Sequence, residues 1–295
     1  MAAHSRIFLP FRFAIFTSQN IRLRPRLILL KAEHYSRISH QEGVGASSPH
    51  AEEWTPPLYQ EHVPTSLFQK ALLTVGSAAV AITDPYRHDM IAVLGETTGY
   101  YALMRIRDQM KADPVGQLIL SERPRINTRT VDLEELRNLP EGTFGREYVN
   151  WLDRNDVTPD SRAPVKFIDD EELAYVIQRY REIHDLFHTL LGMPTNMLGE
   201  CTVKMFEAVQ TGLPMCAMGA VFGPLRLSSR QRWKLRNYYI PWAVRAGYSA
   251  KCLMNVYYEK RFHEPLEELK ADLKIPPPPQ VPKSTSSNYS RLYKR

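Results

Sequence analysis

Residues 171–192 read EELAYVIQRYREIHDLFHTLLG, and the spacing within this stretch decides the fold class. Leu173, Val176, Ile177, Tyr180, Phe187 and Leu191 recur at helical intervals and predict one apolar stripe along a long helix. Asp169 and Asp170 stand where an N-cap belongs, and Gly192 with Pro194 behind it supplies the stop. His184 falls between Tyr180 and Leu191 on the stripe, so the polar patch around it is expected to point inward.

The same signals repeat outward from this helix. Thr65 or Ser66 opens a helix through about Ile82, and Asp84–Pro85 starts the next. Further helices are expected over 100–113, from Asp113–Pro114 to Arg123–Pro124, and over 144–154, 198–211, 228–246 and 264–273. Strand-like alternation is scarce and no solenoid-length repeat occurs. The expected fold is mostly α, a single helical domain over about 60–275, with flexible basic N- and C-terminal extensions. No uncharged apolar run reaches 18 residues, so no spanning helix is indicated. The apolar stretches 72–82 and 212–225 are rich in small residues, which suits close helix packing; 212–225 also suits a lipid-holding wall.

The chain has 295 residues and a formal charge of +6, which on its face invites nucleic acid or anionic membrane. Residues 1–41 carry seven bases and one acid, Glu33, with arginines interrupting every apolar stretch. That pattern predicts a mitochondrial presequence and linker and argues against a secretory signal. The end, 276–295, reads as a Pro-rich flexible tail, with four bases in its last thirteen residues. Between 42 and 282 there are 27 bases and 31 acids, so the middle is net acidic and the nucleic-acid reading loses its support. Cys201, Cys216 and Cys252 show no metal or redox spacing, which suits a reducing compartment.

The chemistry gathers at His184-Asp185-Leu186-Phe187-His188, followed after eleven intervening residues by Glu200. His184, Asp185 and His188 share roughly a 100° arc of the helix. The break at Gly192-Met193-Pro194 allows an antiparallel return that brings Glu200 back to them. Two imidazoles and two carboxylates in an apolar setting suit Zn²⁺, with Fe²⁺ as the alternative. Two other readings stay open: imidazoles satisfied by Asp185 and backbone, and a peptidase-like H-E-x-x-H with Asp185 in the acid's place.

The pattern resembles the mitochondrial coenzyme Q (ubiquinone) biosynthesis protein 4 family. The likeness extends through RHDMIAVLGETTG at 87–99, DQMKADPVGQLILSERPRI at 108–126 and LPEGTFGREYVNWLD at 139–153, and through VQTGLPM and FGPLRL beyond the metal box. The resemblance covers about 60–275 and implies a helical metal-binding ubiquinone-biosynthesis domain. It also implies a peripheral position on the matrix side of the mitochondrial inner membrane, other ubiquinone-biosynthesis enzymes as partners in a multi-subunit complex, and a zinc ion on His184, Asp185, His188 and Glu200. The implied activity is a carboxy-lyase: C1-decarboxylation of a polyprenylated 4-hydroxy-3-methoxybenzoate, with coupling to C1 hydroxylation left open. Asp185, if loosely bound, would serve as acid/base.

From 208 to 258 there is no acid, while arginines and lysines alternate with aromatics. Arg232, Trp233, Arg236 and Trp242 are therefore the expected contacts with inner-membrane lipid, against the alternative of a solvated basic face with the tryptophans in the core. Two further functions are carried forward: a non-catalytic lipid-binding scaffold that organises the complex, and a metallohydrolase. A homodimer is left open.

Overall fold

The helix read from 171–192 forms over Glu171–Leu191, and every residue from Leu173 to Leu191 is buried. The computed structural model describes residues 57–84 and 87–282, which fall in one compact unit. The expected presequence and linker at 1–41 and the basic end at 283–295 lie outside the described residues.

In chain order the helices are α1 (Leu67–Thr83), α2 (His88–Thr98), α3 (Tyr100–Lys111), α4 (Pro114–Glu122), α5 (Leu133–Arg137) and α6 (Phe144–Asn155). They continue as α7 (Glu171–Leu191), α8 (Met197–Thr211), α9 (Pro214–Phe222), α10 (Ser229–Lys234), α11 (Ile240–Ser249) and α12 (Leu266–Asp272). Among the described residues no β-strand forms, and the mostly α expectation holds.

The single apolar stripe expected for α7 is too narrow, because α3, α4, α6 and α8 all pack against it. Full burial obliges its charged residues to find partners inside the protein. Arg179 reaches Glu259, with Nη2 to Oε2 at 2.9 Å, and Arg181 Nη2 reaches Glu96 Oε1 at 2.7 Å. Glu182 accepts from Arg125 Nε at 2.7 Å and from the Ile126 amide at 2.9 Å. These contacts tie the central helix to the loops and helices around it.

The local stop and start signals read well. Asp170 caps α7 by accepting from the Leu173 amide, and Gly192 closes it at φ 63°, a left-handed conformation that favours glycine. Ser66 caps α1 in a reciprocal box with Gln69, and Asp113 caps α4 ahead of Pro114.

Three expectations need correction. The helix expected from Asp84–Pro85 begins at His88, after Asp84 has closed α1. The helix expected over 228–246 is two helices joined by a π turn at Leu235–Tyr239. Pro241 follows this turn; it has no N–H to give and crowds the carbonyl one turn back, and the wider turn accommodates it. The Pro-rich segment is not loose from residue 276: Trp242 Nε1 donates to the Pro277 carbonyl at 2.7 Å, and Ile275 before it is buried.

Candidate metal centre

His184 and His188 sit one turn apart on α7, about 40° apart around its axis, so both rings leave the same face. Asn196 caps α8 by accepting from the Leu198 and Gly199 amides, which sets Glu200 in the first turn. Gly199 makes that return possible: a Cβ there would lie 1.9 Å from the Pro194 carbonyl oxygen. Glu200 Oε1 then lies 3.3 Å from His188 Nε2, and Oε2 lies 3.7 Å from His184 Nε2. One ligand atom from each of the three residues lies within 4.8 Å of the others.

The outer nitrogens are tied down. His188 Nδ1 is 3.1 Å from the Met193 carbonyl. A carbonyl only accepts, so Nδ1 carries a proton, and in the neutral ring Nε2 is the nitrogen left with a lone pair. That Nε2 atom is buried with no hydrogen-bond partner. His184 Nδ1 lies 2.5 Å from Glu207 Oε1. A carboxylate or carbonyl behind each imidazole, with Nε2 forward, is the arrangement metal-bound histidines use.

Glu207 is fully buried and gathers further donors: Tyr180 Oη at 2.7 Å and Lys204 Nζ at 2.8 Å, with Cys216 Sγ at 3.6 Å. Burial pushes its carboxyl up, but Lys204 and His184 outweigh burial and hold it below its ordinary value. Glu200 behaves likewise: burial opposes ionisation, and the two imidazoles hold the carboxyl well below the usual range. For His184, burial and Lys204 push downward while Glu207 and Glu200 push upward, and the upward pull prevails.

Asp185, expected as a fourth ligand, stands elsewhere. It is about 100° around the helix from His184, and its Oδ1 accepts from Arg162 Nη2. Burial works against the Arg162 guanidinium, and Asp185 beside it raises its pKa nonetheless. Three of the four expected ligands thus converge, while the buried Asp185 is paired with the partly exposed Arg162.

Of the expected lipid contacts, Arg232 and Arg236 are exposed, and Trp233 is half-buried with its ring edge-on to Tyr238 at 5.5 Å. Trp242 does not face lipid: it is 3% exposed and spends its indole N–H on Pro277. Sequence reading missed Glu207, Lys204 and Arg162. Glu200, Lys204 and Glu207 follow at i, i+4 and i+7, a polar stripe that marks one face of α8.

The residues fit a metal ion. Two imidazole nitrogens and a carboxylate are a ligand set for Zn²⁺ or Fe²⁺, and a cation stabilises the lone pairs and charge brought together there. Fold and site together define a class: helical proteins whose central helix and the helix after it gather a His-His-Glu group able to hold a metal ion. Residues 59–279 match the family described as Coenzyme Q (ubiquinone) biosynthesis protein Coq4, and the chain belongs to that family. It is 62% identical over 224 residues to the mitochondrial ubiquinone biosynthesis protein COQ4 homolog of Xenopus tropicalis, covering 76% of this chain and 80% of the relative. It is 61% identical over 223 residues to the Homo sapiens homolog of the same name, covering 76% of this chain and 84% of that protein. A crystal structure of a Nostoc punctiforme protein, 20% identical, superposes with a TM-score of 0.56 over 69% of this chain and 95% of its own, a likeness of fold.

Proposed function

We propose that the protein is a metal-dependent carboxy-lyase of ubiquinone biosynthesis, removing the C1 carboxyl of a polyprenylated 4-hydroxy-3-methoxybenzoate to leave the methoxy-polyprenylphenol. The observation that carries the reading is the gathering of His184, His188 and Glu200, with both outer imidazole nitrogens already tied to acceptors. The mitochondrial relatives support a place in the mitochondrion; the position proposed within it is the matrix side of the inner membrane, among other ubiquinone-biosynthesis enzymes.

His184, His188 and Glu200 would hold the ion, zinc or Fe²⁺. Bound there, it supplies Lewis-acid stabilisation of negative charge on a substrate oxygen. Glu207 keeps the His184 ring in register, and the Met193 carbonyl does the same for His188. Arg162, partly exposed beside Asp185, offers a cation for the substrate carboxylate and orients it. The hydroxyl para to C1 pushes electrons into the ring; C1 takes a proton from water, the C1–carboxylate bond breaks, and its electron pair restores the aromatic ring as CO₂ leaves, the hydroxide left by the water being neutralised by solvent. Asp185 is engaged by Arg162, so the pair serves as an anchor for this geometry in place of the acid/base role expected from sequence.

Glu200→Ala tests the reading with purified protein, the prenylated substrate and metal analysis. We expect both bound metal and product to be lost with the helical fold retained. Normal product formation by the metal-free variant would refute the catalytic claim. Collapse of the multi-enzyme assembly with product formation intact would favour the scaffold reading.

A further inference from the structure

We propose that the outward face of α1, continued by Val221 and Leu225 and bordered by Arg226, Arg230 and Arg232, is the surface that docks the protein on an anionic lipid bilayer. This goes beyond the contacts expected from sequence, one of which, Trp242, is buried. It rests on the membrane-peripheral part of the function proposed above and not on the chemistry.

The composition of α1, LFQKALLTVGSAAVAIT, belongs to a buried helix, yet only Ser77 in it is buried. One side packs on α2. The other presents Leu67, Phe68, Ala71, Leu72, Val75, Ala79 and Ile82 to solvent within an arc of about 140°. Leu67 is 87%, Phe68 72% and Val75 70% exposed. Lys70, the one charged residue of the helix, pairs with Asp169. At about 1.5 Å per residue the stripe runs some 25 Å. No described helix is long and apolar enough to cross a membrane, so insertion flat in the interface is the mode this stripe allows.

The face does not end with α1. Arg226 Nη2 donates to the Ile82 and Thr83 carbonyls at 2.9 and 2.8 Å, joining the turn Gly223–Arg226 to the C-terminal end of α1. Leu225 in that turn is 68% exposed, and Val221 on α9 is also exposed. Arg232 Nη1 lies 3.4 Å from the Leu225 carbonyl, and Arg230 is exposed in the same short helix. Aliphatic side chains and arginines therefore share one surface. α1 contains no acid and neither does 208–258; Asp84 follows α1, and Asp89 is paired with Arg87.

That charge pattern selects the occupant. Apolar stripes bordered by bases match the acyl boundary and the anionic headgroups of a membrane. A second copy meeting this face through its own would bring three arginines against a surface whose apolar stripe carries no acid, its nearby carboxylates being Asp169, paired with Lys70, and Asp84 at the end of α1. The position also suits a lipid-tailed substrate. α9 separates the face from the metal ligands: a Cβ on its Gly219 would lie 3.2 Å from Lys204 Cγ, and one on Gly223 2.6 Å from Cys201 Sγ, beside Glu200.

The test is co-sedimentation of the full chain with vesicles of phosphatidylcholine alone and of phosphatidylcholine mixed with phosphatidylglycerol, at low and high salt. We expect binding to the anionic vesicles, weakened by salt, and an approximately tenfold loss in Leu72→Glu/Val75→Glu. Arg230→Glu/Arg232→Glu should lose the preference for phosphatidylglycerol while keeping residual binding to both vesicles. Circular dichroism and metal content should match wild type in all variants, because every substituted side chain is exposed, and turnover of a short-tailed soluble substrate should be unchanged. Wild-type binding that survives Leu72→Glu/Val75→Glu overturns the proposed surface and leaves the membrane reading standing. Failure of the wild type to bind either vesicle overturns both. Dissociation of a dimer by Leu72→Glu/Val75→Glu with vesicle binding intact assigns the face to a second copy and overturns the proposal.

Discussion

Replacing Glu207 by Gln separates what holds the candidate metal centre from what merely surrounds it. The wild-type carboxylate accepts from His184 Nδ1, Tyr180 Oη and Lys204 Nζ in a fully buried position. The amide of Gln has one accepting oxygen, so its NH₂ must face a donor on one side or the other. The Lys204 ammonium also loses its counter-charge. Breaking a buried pair from one side costs about 3–5 kcal/mol, and the lower end applies because the Lys204 side chain keeps 18% exposure. For a domain of this size that is a fall in Tm of about 6–12 °C. Loss of the carboxylate behind His184 should weaken zinc binding by about tenfold to a hundredfold. Competition against a chromophoric chelator measures the second effect, and thermal unfolding with excess chelator isolates the first. In Glu207→Gln/Lys204→Met the stranded cation is gone, so Tm should recover while zinc affinity stays low. Zinc affinity within about twofold of wild type in Glu207→Gln would refute the positioning of His184 by this carboxylate.

Gly199→Ala should be worse than its one added methyl suggests, because the Cβ meets the Pro194 backbone at 1.9 Å and the start of α8 must shift. We expect a loss of about 1–3 kcal/mol in thermal unfolding together with weaker zinc binding as Glu200 moves away. Burial pushes the Cys201 and Cys216 thiols up to about 12, so neither presents thiolate at pH 8. Titration with a disulfide reagent at that pH should leave both unreacted in the folded protein and modify them promptly in denaturant.

What could be read from sequence was local. The ends of α7 follow from Asp170 and Gly192, a cap and a left-handed stop that act within four residues. The return of Glu200 follows from a break whose length suits an antiparallel turn. What escaped was decided across the fold. Asp185 has the spacing of a ligand, but Arg162, 23 residues earlier and next to a short 3₁₀ turn, takes it. Glu207 looks like an ordinary helix charge until α7 is set against α8 and His184 is found at its oxygen. Trp242 lies in a basic aromatic run that suits lipid, and only a carbonyl 35 residues away turns it inward. The short α5 carries too few residues to show a period at all.

The contact between Trp242 and Pro277 has a consequence for where the working protein stops. Four consecutive prolines, 276–279, have little backbone freedom to surrender, so one hydrogen bond is enough to fasten them. Pro278 lies close over Gly192, where α7 ends: a Cβ on that glycine would be 3.8 Å from Pro278 Cγ. The prolines act as a stiff clasp across the end of the helix that carries both histidines. A chain cut after Ile275 would keep every described helix yet leave the Trp242 indole N–H buried without its acceptor. The smallest unit that keeps the Trp242 side of the core satisfied therefore extends through Pro277 and not just to the last described helix.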